Sequence, residues 1–334
     1  MIAVENLTKS FTGRTGPVVA LDDINLGVPD ATICGVVGGT GSGKSTLARC
    51  VALRERPDRG SVRVGGTDLV ALGARRDGTN QQVGLVSAEV GLSKQHTVGG
   101  TVALPLERGG VTGTRQRAKV AELLDLVGLA GRAGSGVTQL PAGGRQRLAV
   151  ARALAWQPSV LVADDPTAAV DANAAVGVLT SLDRARSELG VSVLLLTGDA
   201  DAVRRICDDV AVLERGHLVE HGNLLELATA GGGRAASITL PEVPHLTTVA
   251  GHDRVAEIVL VGFAAVGALL PETSSRFAVD IAVLGGGLTR FGDTPVARFA
   301  LGVSGERADF ALAFLAEHGA TVHRAQGGPQ GVAA

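Results

Sequence analysis

Apolar residues in the first part of the chain form short runs that alternate with longer segments of helical spacing. The runs are rich in Val, Ile and Leu and predict buried strands at 32–37, 83–86, 160–163, 192–197 and 210–213. The helical segments are 47–53, 114–127, 148–156, 173–189 and 202–207. Strands that alternate with helices predict a mostly parallel sheet covered on both faces, so the fold class is α/β. Segment 114–127 is expected to be a helical insertion between two strands.

The two ends of the chain follow other patterns. Short β-branched runs predict strands at 2–4, 18–21 and 25–28. After a stretch rich in Gly and Pro, the predicted order is strand, helix, strand, strand, helix, strand, at 258–261, 269–277, 281–284, 296–303, 307–318 and 321–323. This βαββαβ order predicts a small ferredoxin-like α+β domain. The predicted division is a first domain at 1–229, a linker at 230–252 and a second domain at 253–326.

Composition limits the classes of partner. The chain has 334 residues, enough for two domains, with a formal net charge of −2 and 2% aromatic residues. Without a basic surface or a set of stacking rings, we expect no nucleic-acid partner. Cys34, Cys50 and Cys207 are odd in number and far apart, which favours a reducing cytoplasm over a disulfide framework or a zinc site.

Two observations concern membranes. The N-terminus lacks the charged segment and apolar core of a signal peptide. The longest uncharged apolar run, 258–270, is shorter than the about 20 residues that a membrane-spanning helix needs. We therefore expect any membrane role to come through a partner protein.

The strongest motif is a glycine-rich loop between the predicted strand 32–37 and the predicted helix 47–53. It fits the pattern G-x-x-x-x-G-K-[ST] in full, with the residues Gly38, Gly39, Thr40, Gly41, Ser42, Gly43, Lys44, Ser45 and Thr46. Glycines let backbone N–H groups approach phosphate oxygens that side chains would block. The alternative is a glycine-rich turn that contains Lys-Ser by chance, which the strand–loop–helix context disfavours. The loop therefore predicts nucleotide binding.

Lys44 and Ser45 have distinct predicted roles in this loop. Lys44 is expected to reach the β- and γ-phosphates as a point charge, and Ser45 to offer its hydroxyl to Mg²⁺. The helix that follows directs the positive end of its dipole at the phosphates. These roles make the loop a site for a Mg²⁺-bound nucleotide.

Asp164 and Asp165 follow the buried run 160–163. In a chain with a phosphate loop, Asp164 is expected to hold Mg²⁺, usually through water, and Asp165 to activate the attacking water. The alternative is a pair of acidic turn residues before Pro166. Proximity to a phosphate loop favours the metal site.

Phe11 is a candidate for contact with the nucleotide base. It is one of seven phenylalanines in a chain that has no tyrosine and one tryptophan. Its ring can stack on adenine, but the sequence equally allows an ordinary core phenylalanine.

Several segments together resemble the ATP-binding subunits of ABC transporters: the phosphate loop, 139–154, 158–171 and 205–220. Segments 83–86, 97–98, 102–107 and 205–214 further resemble the methionine-importer subfamily, whose members carry a second, C-terminal domain. Residues 277–284 and 303–305 are similar to the small regulatory domain of that subfamily. The resemblance covers nearly the whole chain.

The resemblance implies the ligands, the partners and the location. ATP and Mg²⁺ are the expected ligands. The expected partners are a second ATP-binding subunit, in a homodimer or a heterodimer, and an integral membrane permease. The chain is expected on the cytoplasmic face of the cell membrane, held there through the permease. The regulatory domain of the subfamily pairs across a homodimer and binds methionine as an inhibitor.

Two segments depart from the family pattern near the nucleotide. Ala88 stands where the family has a glutamine that touches Mg²⁺ and senses the membrane partner, and a methyl group cannot coordinate a metal. Pro141 replaces the serine of the family motif Leu-Ser-Gly-Gly-Gln and supplies neither a hydroxyl nor an N–H. Gly143 and Gly144 are still expected to offer backbone donors to the nucleotide of the opposite subunit.

Two further departures concern catalysis. Asp165 replaces the catalytic glutamate and is one methylene shorter, and a misplacement of about 1 Å can cost on the order of 10² in rate. Gly198 replaces the histidine that contacts the γ-phosphate. One interpretation is a methionine-type importer ATPase with reduced hydrolysis. The other is a nucleotide-binding scaffold or regulatory subunit that does not hydrolyse ATP and pairs with an intact ATPase.

The C-terminal domain carries its own departure, because Ala282 replaces an asparagine of the regulatory domain. We therefore expect methionine to bind weakly or not at all. The alternative is a site built on backbone donors around 285–287. The domain is still expected to dimerise through a sheet face formed by Ile281, Val283, Val296, Phe299 and Leu301.

Overall fold

The computed structural model describes residues 1–13, 16–72, 82–244 and 251–324. Contacts divide the chain into two compact units, Met1–His221 and Gly222–Ala334. The limits that the sequence predicts for the two domains and the linker stay a prediction.

Strands of the first unit form two sheets among the described residues. They are β1 (Ile2–Gly13), β2 (Gly16–Val28), β3 (Ile33–Val37), β4 (Arg59–Val64), β5 (Thr67–Asp68), β6 (Val83–Ser87), β7 (Val160–Asp164), β8 (Ser192–Thr197), β9 (Asp209–Glu214) and β10 (His217–Asn223). One sheet is antiparallel, in the order β2-β1-β4-β5. The other has the order β10-β9-β3-β8-β7-β6 and is parallel from β9 to β6. The buried apolar runs thus form the predicted parallel sheet.

Helices cover both faces of the parallel sheet. They are α1 (Lys44–Val51), α2 (Val98–Arg108), α3 (Gly113–Leu126), α4 (Ala142–Leu154), α5 (Ala172–Leu189) and α6 (Ala200–Ile206). Successive side chains of a strand point to opposite faces, and the core divides accordingly. Ile33 and Leu161 pack with α2 to α5, whereas Cys34 and Val162 pack with α1 and the antiparallel sheet. The insertion predicted from 114–127 is a pair of helices, α2 and α3.

The second unit contains the predicted ferredoxin-like fold. Its elements are α7 (Leu224–Ala230), α8 (Arg234–Thr239), β11 (Arg254–Val261), α9 (Phe263–Val266), α10 (Leu269–Phe277), β12 (Asp280–Phe291), β13 (Thr294–Ser304), α11 (Ala308–Glu317) and β14 (Ala320–Arg324). The sheet is antiparallel, in the order β12-β13-β11-β14. The βαββαβ order read from the sequence is confirmed.

One face of this sheet packs against helices of the same unit. Leu301 is fully buried in a cluster with α11 residues, and Ile281 and Phe299 pack against that cluster. Val296 is also fully buried but lies on the opposite face of β13, whereas Val283 is 56% exposed. The expected dimer surface is therefore wrong for Leu301 and Val296, which are buried within the unit, and dimerisation through Ile281, Val283 and Phe299 stays a prediction.

The other face carries a polar pair and is crossed by the segment Pro241–Pro244, which we call the strap. Arg298 donates a hydrogen bond to Glu257 at 2.7 Å, and both side chains are largely buried. Arg298 also donates to the carbonyl of Pro241 at 3.4 Å. A Cβ on Gly285 would lie 2.6 Å from Pro244 Cδ, so the absence of a side chain there lets the strap approach.

Candidate nucleotide-binding site

A cavity of about 500 Å³ opens where β3 and β8 end and where the chain leaves β7. It is lined by Gly38, Gly39, Thr40, Lys44, Asp165, Thr167, Ala168, Thr197, Gly198 and Asp199. The carboxyl ends of parallel strands meet at one edge of a sheet, where ligands of open α/β folds bind. The fold thus brings the phosphate loop together with Asp165 and Gly198, which are distant in sequence.

Glycines of the phosphate loop serve two different purposes. A Cβ on Gly38 would lie 2.2 Å from the carbonyl oxygen of Leu213, so the loop packs closely on β9 there. Gly43 precedes α1 with a φ of 110°, a left-handed conformation that favours glycine. At Gly39 and Gly41 an added Cβ would have no atom of the described residues within 4 Å. These two positions leave backbone open to a ligand.

Lys44 lies at the start of α1, with its side chain folded back over the loop. Its Nζ donates to the carbonyl of Gly38 at 2.7 Å and to that of Gly39 at 3.1 Å. An ammonium has three donors, so one N–H remains for a phosphate oxygen. The Oγ of Ser42 is buried and has no hydrogen-bond partner among the described residues.

Ser45 and Asp164 fit a magnesium ion. The hydroxyl of Ser45 donates to Asp164 Oδ1 at 3.0 Å. Mg²⁺ binds oxygen at about 2.0–2.1 Å in an octahedron, which sets neighbouring ligand oxygens about 2.9 Å apart. Burial raises the pKa of Asp164, and the charge of Asp165 adds to that shift, while the Ser45 hydrogen bond opposes it. A bound cation would stabilise the charged carboxylate.

Asp165 has a backbone conformation that is uncommon for a residue with a side chain. Its φ is 45°, which Asp tolerates better than most residues. Its N–H donates to the carbonyl of Leu196 at 2.8 Å, and its own carbonyl accepts from the N–H of Ala168 at 3.2 Å. These bonds fix the turn after β7 against β8. Asp165 thereby lines the cavity, as the sequence predicts for the residue that activates water.

Gly198 follows β8 and lines the same cavity. An added Cβ would have no atom of the described residues within 4 Å, and the φ of Gly198 lies outside the left-handed region. A Cβ at this position would therefore meet neither a steric clash nor backbone strain.

Ala88 lies beside the candidate metal site. It follows β6, and its N–H donates to the carbonyl of Asp164 at 3.0 Å. The side-chain amide of Gln146, on α4, donates to the carbonyl of Ser87 at 3.0 Å. The start of α4 and the segment with Ala88 are thus linked through one buried glutamine.

Gly143 and Gly144 are not brought to the cavity. Both are buried at the start of α4, which Pro141 precedes. A Cβ on Gly143 would lie 2.6 Å from that of Ala174 on α5. Within one chain these glycines therefore allow helix packing, and a role in nucleotide binding requires a second subunit.

Phe11 also lies outside the cavity lining, on the strand that pairs with β2. It is 36% exposed, so it is not a core phenylalanine. It pairs with Val18 on β2, and the nearby carbonyl of Ala20 would lie 2.5 Å from a Cβ on Gly43.

Sequence reasoning missed four lining residues: Thr167, Ala168, Thr197 and Asp199. The side chain of Asp199 accepts a hydrogen bond from the N–H of Asp201 at 2.9 Å, and Asp199 is the N-cap residue of α6. An acidic residue between a strand and a helix is a helix-capping signal that could have drawn attention to it.

No helix in residues 1–13, 16–72, 82–244 and 251–324 has both the length and the hydropathy needed to cross a bilayer.

Known families match both parts of the chain. The ABC transporter family matches residues 21–168, and the NIL domain matches residues 254–324. The methionine import ATP-binding protein MetN of Thermobifida fusca (strain YX) is 39% identical over 96% of this chain and 99% of its own length. MetN of Myxococcus xanthus (strain DK1622) is 40% identical over 98% of this chain and 100% of its own length.

Solved structures match the first unit. A dimeric ATP-binding cassette in a post-hydrolysis state, bound to ADP and Pi, is 27% identical with a TM-score of 0.60. The match covers 67% of this chain and 98% of that one. Together with the phosphate loop and the near full-length relatives, this shows that the chain belongs to the ABC transporter ATP-binding proteins, in the family of methionine import ATP-binding proteins.

Proposed function

We propose that this chain is the ATP-binding subunit of an ABC importer for methionine or a related amino acid. The observation that carries the proposal is the cavity in which a complete phosphate loop meets Asp165 and, beside it, Asp164. Relatives that match nearly the whole chain are named methionine import ATP-binding proteins. The proposed ligand is Mg²⁺-ATP.

Each site residue has a proposed role. Lys44 uses its remaining N–H and its charge on the β- and γ-phosphates. Ser45 and Asp164 hold Mg²⁺, which neutralises charge on the phosphates when bound. Asp165 accepts the proton of the attacking water. Phe11 stacks on the adenine ring.

The proposed assembly contains two ATP-binding subunits and a membrane permease. Gly143 and Gly144 do not line their own chain's cavity, so their backbone donors act on the nucleotide of the second subunit. The dimeric cassette of the solved relative supports such a pair. The permease holds the pair at the cytoplasmic face of the membrane. The second subunit is either a copy of this chain or a different ATPase.

Hydrolysis is proposed to be slow. Gly198 and Ala88 have no side chain able to reach the γ-phosphate or the metal, and Pro141 has neither a hydroxyl nor an N–H. Asp165 is one methylene shorter than the glutamate of the family pattern. Each change removes or displaces a group that acts on the terminal phosphate, whereas the loop that binds it is complete.

A second candidate function is a nucleotide-binding subunit that does not turn over and regulates or supports an intact ATPase. The open space at Gly198 favours it, because the histidine of the family pattern is missing and no atom of the described residues lies within 4 Å of a Cβ there.

Nucleotide titration and ATPase assays test the proposals separately. Wild-type protein should bind Mg²⁺-ATP saturably below millimolar nucleotide, and absence of binding would refute both functions. Steady-state hydrolysis is then measured with the cognate permease in a lipid bilayer. Slow hydrolysis that the permease stimulates supports the importer ATPase. Binding without any turnover supports the second candidate, and fast hydrolysis would contradict the proposed impairment.

A further inference from the structure

The ammonium of Lys9 lies over the ring of Phe11, 5.1 Å from its centroid. The two residues are two positions apart on β1, so their side chains leave the same face of the strand. The side chain of Lys9 is only 12% exposed, unlike that of an ordinary surface lysine. An aromatic face attracts a cation at this distance, and the attraction restricts the orientation of the ring.

Residues 55–58, in the turn after α1, hold the ammonium of Lys9 in place. Nζ donates to Glu55 Oε1 at 2.8 Å and to the carbonyl of Arg56 at 2.9 Å, and it lies 3.4 Å from Asp58 Oδ1. The hydrogen bond to Glu55 raises the pKa of Lys9 in spite of partial desolvation. Because an ammonium has three donors, these contacts leave none for a phosphate.

The same turn is fastened to β1 on both sides of Lys9. Asp58 Oδ2 accepts from the N–H of Ser10 at 2.7 Å, and the N–H of Asp58 donates to the carbonyl of Thr8 at 2.9 Å. The register of β1 against β2 shifts on either side of Lys9, between Leu7 and Lys9 and between Lys9 and Ser10. Such irregularities redirect the side chains that follow.

The β1–β2 hairpin is joined to the phosphate loop. The N–H of Asp22 donates to the carbonyl of Gly216 at 2.8 Å, and the N–H of Gly216 donates to the carbonyl of Ser42 at 2.9 Å. The hairpin that carries the ring is therefore linked to the loop through Gly216.

We propose that Lys9 is a positioning residue for Phe11, and that it strengthens binding of the nucleotide base without contacting the phosphates. The proposal rests on the proposed binding of ATP and goes beyond it. Affinity for a nucleoside triphosphate should then depend on Lys9, whereas affinity for inorganic tripolyphosphate should not. If Lys9 had a purely structural role, its substitution would lower the affinity for both ligands alike.

Lys9→Met tests this, because it removes the charge and keeps most of the aliphatic stem. Dissociation constants for Mg²⁺-ATP and for Mg²⁺-tripolyphosphate are measured by calorimetry on the full chain. We expect ATP affinity to fall about fivefold, in the range of a cation–π contact, with tripolyphosphate affinity unchanged. Lys9→Arg keeps the cation and should retain most of the ATP affinity. Lys94→Met, at an exposed lysine, is the matched control.

A double-mutant cycle sharpens the test. If Lys9 acts through the ring, adding Lys9→Met to Phe11→Ala should cause no further loss of ATP affinity. Equal loss for both ligands, undiminished ATP affinity, or additive losses in the double variant would each overturn the proposal. Should Lys9→Met fail to fold, Glu55→Gln removes one anchor of the ammonium and should lower ATP affinity about twofold, again without effect on tripolyphosphate. Wild-type protein that binds neither ligand would instead refute the proposed function.

Discussion

Two glycine-rich stretches, the phosphate loop in the first unit and 285–287 in the second, resemble each other in sequence and differ in the structure. At Gly39 and Gly41 an added Cβ would have no neighbour within 4 Å. At Gly285 it would lie 2.6 Å from Pro244 Cδ, and at Gly287 it would lie 3.6 Å from Pro241 Cβ. The phosphate loop leaves its backbone open to a ligand at these two glycines, whereas the stretch 285–287 is covered by the strap.

This difference shows that glycine alone does not predict a ligand site. A missing side chain leaves space next to the backbone. Whether that space stays open to a ligand depends on how the rest of the chain packs around it. In the second unit the room is taken by the strap, whose prolines have no N–H to offer a ligand. A methionine site on backbone donors around 285–287 would therefore require the strap to move. The following four predictions test the two stretches and the residues around them.

The largest effect is expected from Lys44→Ala. The substitution removes a charged donor from the phosphates, and hydrogen bonds to charged groups contribute about 1.5–3 kcal/mol each. We expect the affinity for Mg²⁺-ATP to fall at least about a hundredfold in a nucleotide titration. Lys94→Ala, at an exposed lysine, should leave it unchanged. Similar affinities for the two variants would mean that the open loop is not the phosphate site.

Gly198→His combined with Asp165→Glu should raise the rate of ATP hydrolysis about tenfold or more, because both groups return to the reach of the γ-phosphate. A Cβ at Gly198 would have no atom of the described residues within 4 Å, and the residue lines the cavity. The rate is measured at saturating ATP with the permease. Gly134→His, at another glycine with open space, serves as the control. Wild-type turnover that already equals that of the double variant would refute the proposed impairment.

Gly285→Ala should destabilise the second unit by about 2 kcal/mol, because its methyl group would overlap Pro244 and overpacking costs about 1–3 kcal/mol. Gly287→Ala is the matched control, since its methyl group would make an ordinary van der Waals contact with Pro241. Urea unfolding measures both variants. Equal stability of the two would show that the strap does not hold its place over the strand.

The smallest effect is expected for the affinity of the Ala282→Asn variant for methionine. Ala282 pairs with Gly302 on β12 and β13 and offers no polar side chain. A buried polar group of a ligand without its partner costs about 1–3 kcal/mol, so wild-type protein should bind methionine weakly and the variant about tenfold better. Calorimetry on the full chain decides this. Micromolar binding by the wild-type protein would contradict the prediction.

The phosphate loop was predictable because its chemistry and its neighbours are local in sequence. The strand before it, the glycines and Lys44 lie within a short stretch, and the turn with Asp164 and Asp165 follows its own strand. The site's remaining lining was not predictable in this way. Thr167 and Asp199 reach the cavity only because β7 and β8 lie side by side.

Two elements of the fold were not predicted from the sequence pattern because they contain glycine or proline. α2 contains Gly99, Gly100 and Pro105, which weaken the helical pattern, and tertiary packing on α3 and α4 overrides that weakness. β12 continues through 285–287, where a glycine run reads as a turn. The sequence pattern correctly placed Ile281, Phe299 and Leu301 on one face of the sheet, but Val296, three residues before Phe299, lies on the other face. The pattern could not indicate that helices of the same unit cover the first face, because this depends on the connections between strands.

The position of Lys44 has a kinetic consequence. Because its ammonium donates to the carbonyls of Gly38 and Gly39, the lysine itself holds the start of the loop in place. Little conformational freedom is then lost on binding, so arrival of a nucleotide should not wait for a slow rearrangement. Residence time, rather than the speed of capture, would then distinguish a triphosphate from a diphosphate in this site.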